Sequence, residues 1–326
     1  MAKNAGKTTA LNYLLEEAYD EGLRVGVTST GRDGETTDVV TQTDKPKVYL
    51  FEDTIVSVPE RLYGLAETGL EILKRTDCRT ALGQVLICRV AQSGYVQIAG
   101  PGSITEHKKL CDQMASYGLD MIIIDGAIDR KSIAAPETSD AIILSTGAVI
   151  SRSLKVVVEE TLHVIRVYQS PLVSDEKAVE ILKNESKDVY RILTIDNDYK
   201  VKPVNAKTAL GAGTLLDSAI DENTKYVYIP GALTESILDS INPKKFAGIT
   251  VLLPNPTKVF VSALRWQQLK KRGLKVEVLQ NIKVAAVTVN PFAPQGYSFD
   301  RDELLNTMRD AIPELPVIDV RIGGLG

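Results

Sequence analysis

Asn4, Ala5, Gly6, Lys7, Thr8 and Thr9 have the types and order needed to hold a phosphate chain. The run carries the G-K-[ST] ending of a phosphate-binding loop (P-loop) and passes at once into an amphipathic segment. Successive backbone N–H groups ahead of a helix form an anion-binding concavity, to which the helix N-terminus adds partial positive charge. Gly6 lets the backbone approach phosphate closely. Lys7 is placed to reach the β- and γ-phosphates, and the Thr8 hydroxyl to supply an oxygen to Mg²⁺. The first glycine of the full pattern would stand at position 1, which is Met1, and no apolar strand precedes the loop. That fits a shortened chain, a misjudged start, or a natural form without the strand. Loss of the strand would expose a sheet edge, so a partner or reduced stability is expected.

A second feature matches the first. Ile122-Ile123-Ile124-Asp125 is an apolar run ending in an acid, and nucleotide sites of this kind need such an acid beside Mg²⁺ or its water. Lys7 and Asp125 are therefore the candidate catalytic pair, with Thr8 and Asp125 on the metal. In open α/β sheets the loops at strand C-termini line the ligand crevice. Asp33 and Glu35, with Asp38, are further metal candidates, and Arg32 a phosphate contact; a solvated loop is the equal alternative there. Arg130 and Lys131 follow Asp125 directly and face the same crevice, so Arg130 is a nucleotide-binding candidate. Ser145-Thr146-Gly147 ends the next apolar run. No N-K-x-D guanine motif occurs, which favours ATP over GTP. The MinD/ParA type carries a lysine five residues before the P-loop lysine; that position is Ala2, so the match fails.

The elements that must position these residues follow from periodicity. Residues 8–22 carry Ala10, Leu11, Leu14, Leu15 and Ala18 on one helical face, with Gly22 as a stop. Strands are expected at 23–28, 48–51, 120–125 and 140–145, with helices over most of 54–75, from 103 to 117, and over 151–168. Residues 85–90 and 95–99 read as a hairpin around Gln92-Ser93-Gly94. Farther on, 225–229, 248–253, 275–279 and 284–289 read as strands. Helices are expected at 234–240, 259–271 and 301–312, and a last short strand at 317–320. Strand–helix alternation implies an α/β fold with a mostly parallel sheet covered by helices on both faces. The expected division is a P-loop domain over 1–175, its first strand apparently missing, and a second α/β domain over 176–326.

Composition narrows the function. The chain has 326 residues, is 44% apolar and carries a formal net charge of −4. It has enough apolar surface for a core and no basic stripe for nucleic acid. Lys270-Lys271-Arg272, the densest basic cluster, reads as a solvated helix end. Cys78, Cys88 and Cys111 have neither pairing nor zinc spacing, and with only His107 and His163 no Cys/His metal site assembles. No apolar run approaches the ~18 residues of a membrane span, and no signal peptide is evident. A cytoplasmic protein is expected, with homo-oligomerisation an open possibility.

The runs AKNAGKTTALNYLL, RVGVTSTGRDGE, DMIIIDGAIDRKS and SDAIILSTGA together resemble the small ATPase-like reactivase subunit linked to lysine 5,6-aminomutase and ornithine aminomutase. The resemblance covers about the first 170 residues; the GRDGE and IDGAIDRKS runs are its more specific parts. It implies a chaperone-like role, in which ATP is used with a MutS-like ATPase partner to renew a damaged adenosylcobalamin aminomutase. Lys7 and Thr8 would hold phosphate and Mg²⁺, and Asp125 would support the metal. Two other readings stay open: a dethiobiotin-synthetase-like ligase or kinase, and a non-catalytic interaction protein with a degenerate P-loop.

Overall fold

The computed structural model describes residues 2, 4–30, 48–126, 138–185, 191–204 and 215–320. In chain order the first half holds α1 (Lys7–Asp20), β1 (Val25–Ser29), β2 (Val48–Leu50), β3 (Ile55–Pro59), α2 (Glu60–Tyr63), β4 (Leu70–Thr80), β5 (Gly83–Val90), β6 (Gly94–Val96), α3 (Ile104–Ala115) and β7 (Met121–Asp125). Then come β8 (Ala141–Gly147), α4 (Leu154–Tyr168), α5 (Glu176–Glu185), β9 (Ile192–Asp196), β10 (Val201–Val204), β11 (Thr224–Tyr228), β12 (Leu233–Thr234) and α6 (Glu235–Asp239). The chain continues through β13 (Thr250–Leu253), β14 (Val259–Phe260), α7 (Ala263–Lys271), β15 (Lys275–Val278), β16 (Lys283–Asn290), α8 (Arg301–Ala311) and β17 (Val317–Ile318).

Three larger sheets organise these elements, with orders β4-β5-β3-β1-β7, β10-β9-β11-β13-β15 and β17-β16-β8. The fold is α/β, but the sheets are mixed rather than mostly parallel. β1 lies parallel to β3 and β7, whereas β5 runs antiparallel to β3 and β4. In the second sheet β9 is antiparallel to both β10 and β11. The third sheet is wholly parallel.

The long helix expected over 54–75 is not formed. Ile55–Pro59 is instead a buried strand, α2 lasts four residues, and the chain returns to strand at Leu70. The run Ile55-Val56-Ser57-Val58 carries three β-branched aliphatic residues, which favour a strand between two neighbours over a helix. Nor do residues 85–90 and 95–99 pair with each other. β5 pairs with β3 and β4, and β6 pairs with β2. The helix expected from 259 begins at Ala263, because Val259–Phe260 pairs with Leu233–Thr234.

Helix α1 forms as its spacing requires. Ala10, Leu11, Leu15 and Ala18 are its buried face. Leu23 N–H bonds to the Ala18 carbonyl and Gly22 N–H to that of Tyr19, with Gly22 at φ 69°. That Schellman closure needs a left-handed residue, so Gly22 stops the helix. Leu11 and Leu15 join one core cluster with Val27, Val56 and Leu86. A larger cluster unites Leu144 of β8 and Val157 and Ile165 of α4 with Val287 of β16 and Leu304 and Met308 of α8. Thus β8 and α4, on one side of residue 175, share a sheet and a core with β16 and α8 on the other.

Candidate functional site

The start of α1 sits where strand ends converge. Ser29 at the end of β1 is in register with Asp125 at the end of β7, and Thr30 N–H donates to the Asp125 carbonyl at 2.9 Å. On the other side, the Asn290 amide at the end of β16 donates to the Asn4 carbonyl at 3.2 Å. Parallel strands from two sheets thus deliver their carboxyl ends to the first turn of α1, the place where open α/β sheets keep their ligand crevices.

The loop ahead of α1 turns sharply. Asn4 and Gly6 both adopt left-handed conformations, at φ 64° and 91°. Ala5 N–H, between them, donates to the Ala2 carbonyl at 3.4 Å. No side chain caps the N-terminus of α1, and its first turn holds no acid. Gly6 is required twice over. Its φ suits glycine, and a Cβ there would stand 3.3 Å from Cβ of Asn290. Ala5 is buried, Gly6, Lys7 and Thr8 are half-buried, and Asn4 and Thr9 are exposed.

The Lys7 ammonium donates to the Ala2 carbonyl at 3.1 Å, across the loop it follows. It also acts electrostatically on Asp125. Burial pushes the Asp125 carboxyl above its ordinary pKa, and the Lys7 charge opposes that rise. Lys7 and Asp125, 118 positions apart in sequence, thus influence each other electrostatically. Among the described residues no cluster of three or more His, Cys, Asp or Glu side chains could hold a metal by itself. The donor set suits Mg²⁺, which takes one or two protein oxygens and completes its shell with water and phosphate. Arg32, Asp33, Glu35, Asp38, Arg130 and Lys131 lie outside the described residues.

Several expectations resolve into structural roles. Ser145 accepts from the Thr288 hydroxyl at 2.9 Å, and the Thr146 and Thr161 hydroxyls pair at 2.7 Å; all four are buried. They tie β8 to β16 and α4. His107 is wholly buried in α3 with Nδ1 3.5 Å from Cys111 Sγ, and burial lowers its pKa, so the ring is neutral at pH 7. His163 Nε2 lies 2.8 Å from the Val261 carbonyl. All three cysteines are free; burial raises the thiol pKa values of Cys88 and Cys111 to about 11, so neither is a ready nucleophile.

Two contributors escaped sequence reasoning. Asn290 clamps the loop through its amide and fixes Phe292 N–H through its side-chain oxygen at 3.1 Å. Asp319, buried and bonded to Arg301 at 3.3 Å, lines a small cavity beneath Ala5, Gly6 and Thr9. Asn290 offered one faint signal, a polar residue between an apolar run and Pro291. No helix among the described residues is long and apolar enough to cross a membrane. Comparison with protein-family models, curated proteins and solved structures finds no match to this chain.

Proposed function

We propose that this chain is a P-loop protein that binds a nucleoside triphosphate with Mg²⁺, ATP in preference to GTP, and hydrolyses it slowly as an accessory to another protein. The observation that supports the reading is that the Lys7 charge acts on the buried Asp125 beside a loop in which Asn4 and Gly6 take left-handed conformations. In this reading the loop N–H groups and the α1 N-terminus cradle phosphate oxygens. The Lys7 ammonium leaves the Ala2 carbonyl for the β- and γ-phosphates, while Thr8 Oγ and the Asp125 carboxylate hold the metal directly or through water. Bound Mg²⁺ would neutralise charge developing on the phosphoryl oxygens. Arg130, Asp33 and Glu35 are proposed to complete the crevice.

The accessory role follows the resemblance to aminomutase reactivases, with a MutS-like ATPase and an aminomutase as the proposed partners. The test is phosphate release from Mg·ATP by the chain alone and with those partners, beside calorimetric titration of Mg·ATP and Mg·GTP. Binding of ATP with slow release, stimulated by the partners and lost in Lys7→Ala, is expected. Fast turnover of a small metabolite would overturn the accessory role, and failure to bind either nucleotide would overturn the site.

A further inference from the structure

At the far end of α4 lies a second site. Helix α4 has 15 residues, so its C-terminus stands ~22 Å along the axis from the end that follows β8. There it meets α7 and leaves a groove of about 470 Å³, lined by Arg166, Pro171, Trp266, Gln267, Lys270 and Lys271 among others. That volume lies within the range of small-molecule sites. The chain carries a net charge of −4, yet this groove is lined by three cations and no carboxylate.

Basic residues at helix C-termini are ordinarily explained by the helix dipole and its open carbonyls. Here several of those carbonyls are already met within the chain. Gln169 N–H bonds to the Ile165 carbonyl, and both Ser170 N–H and Ser170 Oγ to that of Val167. At α7, Arg272 N–H reaches the Gln268 and Leu269 carbonyls, and Gly273 N–H that of Lys270. The side chains of Arg166, Lys270 and Lys271 make no hydrogen bond or ion pair among the described residues. The Lys270 ammonium stands 5.4 Å from the Trp266 ring centroid, with Glu277 the carboxylate acting on it from β15. Burial lowers its pKa, an effect that a bound anion would offset.

We propose that this groove binds a small aromatic carboxylate. Its ring lies on the apolar wall of Trp266 and Pro171, and its carboxylate takes charge-assisted hydrogen bonds from Arg166 and the two lysines. The site is separate from the nucleotide crevice and does not depend on it. Trp266 is the sole tryptophan of the chain, so its fluorescence reports this groove alone.

The experiment titrates the full chain with benzoate, with neutral benzamide and with acetate, following Trp266 emission and heat of binding. Saturable binding of benzoate, about tenfold weaker in Arg166→Gln and again in Lys270→Gln, is expected. Benzamide and acetate should bind weakly, and Lys7→Ala should leave benzoate binding unchanged. Both groove variants remove exposed cations, and their melting temperatures verify that they fold. Absence of saturation, equal responses to benzoate and benzamide, or affinity unchanged in the double variant would overturn the proposal.

Discussion

Asp125 and Asp175 are the same side chain in opposite settings. Asp125 ends β7 in the candidate crevice, where burial raises its pKa and the Lys7 charge is the opposing influence. Asp175 precedes α5 and is also penalised by burial, but four donors reverse the balance. It accepts from Lys225 Nζ at 2.8 Å, Tyr226 Oη at 2.8 Å, Tyr199 Oη at 2.9 Å and Ala178 N–H at 3.1 Å. Its pKa falls well below the usual carboxylate range, and that of Lys225 rises. Asp175 is a saturated clamp that fastens α5 to the β9–β11 sheet. Asp125 has no such set of donors, and its proposed role is to accept a cation. The difference lies in the donors: four meet Asp175, whereas at Asp125 burial outweighs the Lys7 charge.

Breaking the comparison at the clamp should have the largest effect. Asp175→Ala removes an ionised acceptor and strands its donors, and should lower stability by ~2–3 kcal/mol, or ~3–4 °C in Tm. Guanidinium denaturation and calorimetry read this directly. Gly6→Ala comes next. Its φ of 91° disfavours a side chain, and Asn290 crowds the position, so a loss of ~1–2 kcal/mol is expected together with lost nucleotide binding. Asp125→Asn should cost the free chain nothing or raise its Tm slightly, because it removes a buried charge, while abolishing any stabilisation by Mg·nucleotide. Equal losses from Asp125→Asn and Asp175→Ala would erase the distinction.

Acid titration sharpens the same contrast with opposite signs. The folded pKa of Asp175 is depressed, so its stabilisation is present above pH 3.8 and is lost as pH falls through the folded value. The folded pKa of Asp125 is raised, so ionisation weakens the fold as pH rises from 3.8 through the folded value. Stability measured from pH 2 to 6 should therefore gain an acid-side slope from Asp175 that disappears in Asp175→Asn. In Asp125→Asn that slope should steepen slightly. Metal-dependent nucleotide affinity should weaken towards acid as Asp125 protonates.

Legibility in the sequence followed locality. Helix α1, β7 and β8 stood out because their apolar patterns are continuous and end in recognisable stops: Gly22, Asp125 and Gly147. The chemistry of the two motifs pairs Lys7 with Asp125, and the Lys7 charge does act on that carboxyl. Residues 54–75 misled because a short buried strand and an exposed antiparallel strand, Leu70–Thr80, carry mixed patterns set by neighbours distant in sequence. The Asn290 clamp acts across 286 residues, and nothing local to position 290 points to Asn4. The open edges of β7 and β8, each unpaired on one side among the described residues, leave Met121 and Ile143 exposed.

The central claim is that the loop before α1 holds a nucleotide through Lys7. The most direct measurement is thermal shift of the chain and of Lys7→Ala with Mg·ATP and Mg·GTP at about 100 times the dissociation constant. The account predicts stabilisation of the unaltered chain by ~2.7 kcal/mol with Mg·ATP, absent in Lys7→Ala. No shift in the unaltered chain, or an equal shift in both proteins, would contradict it.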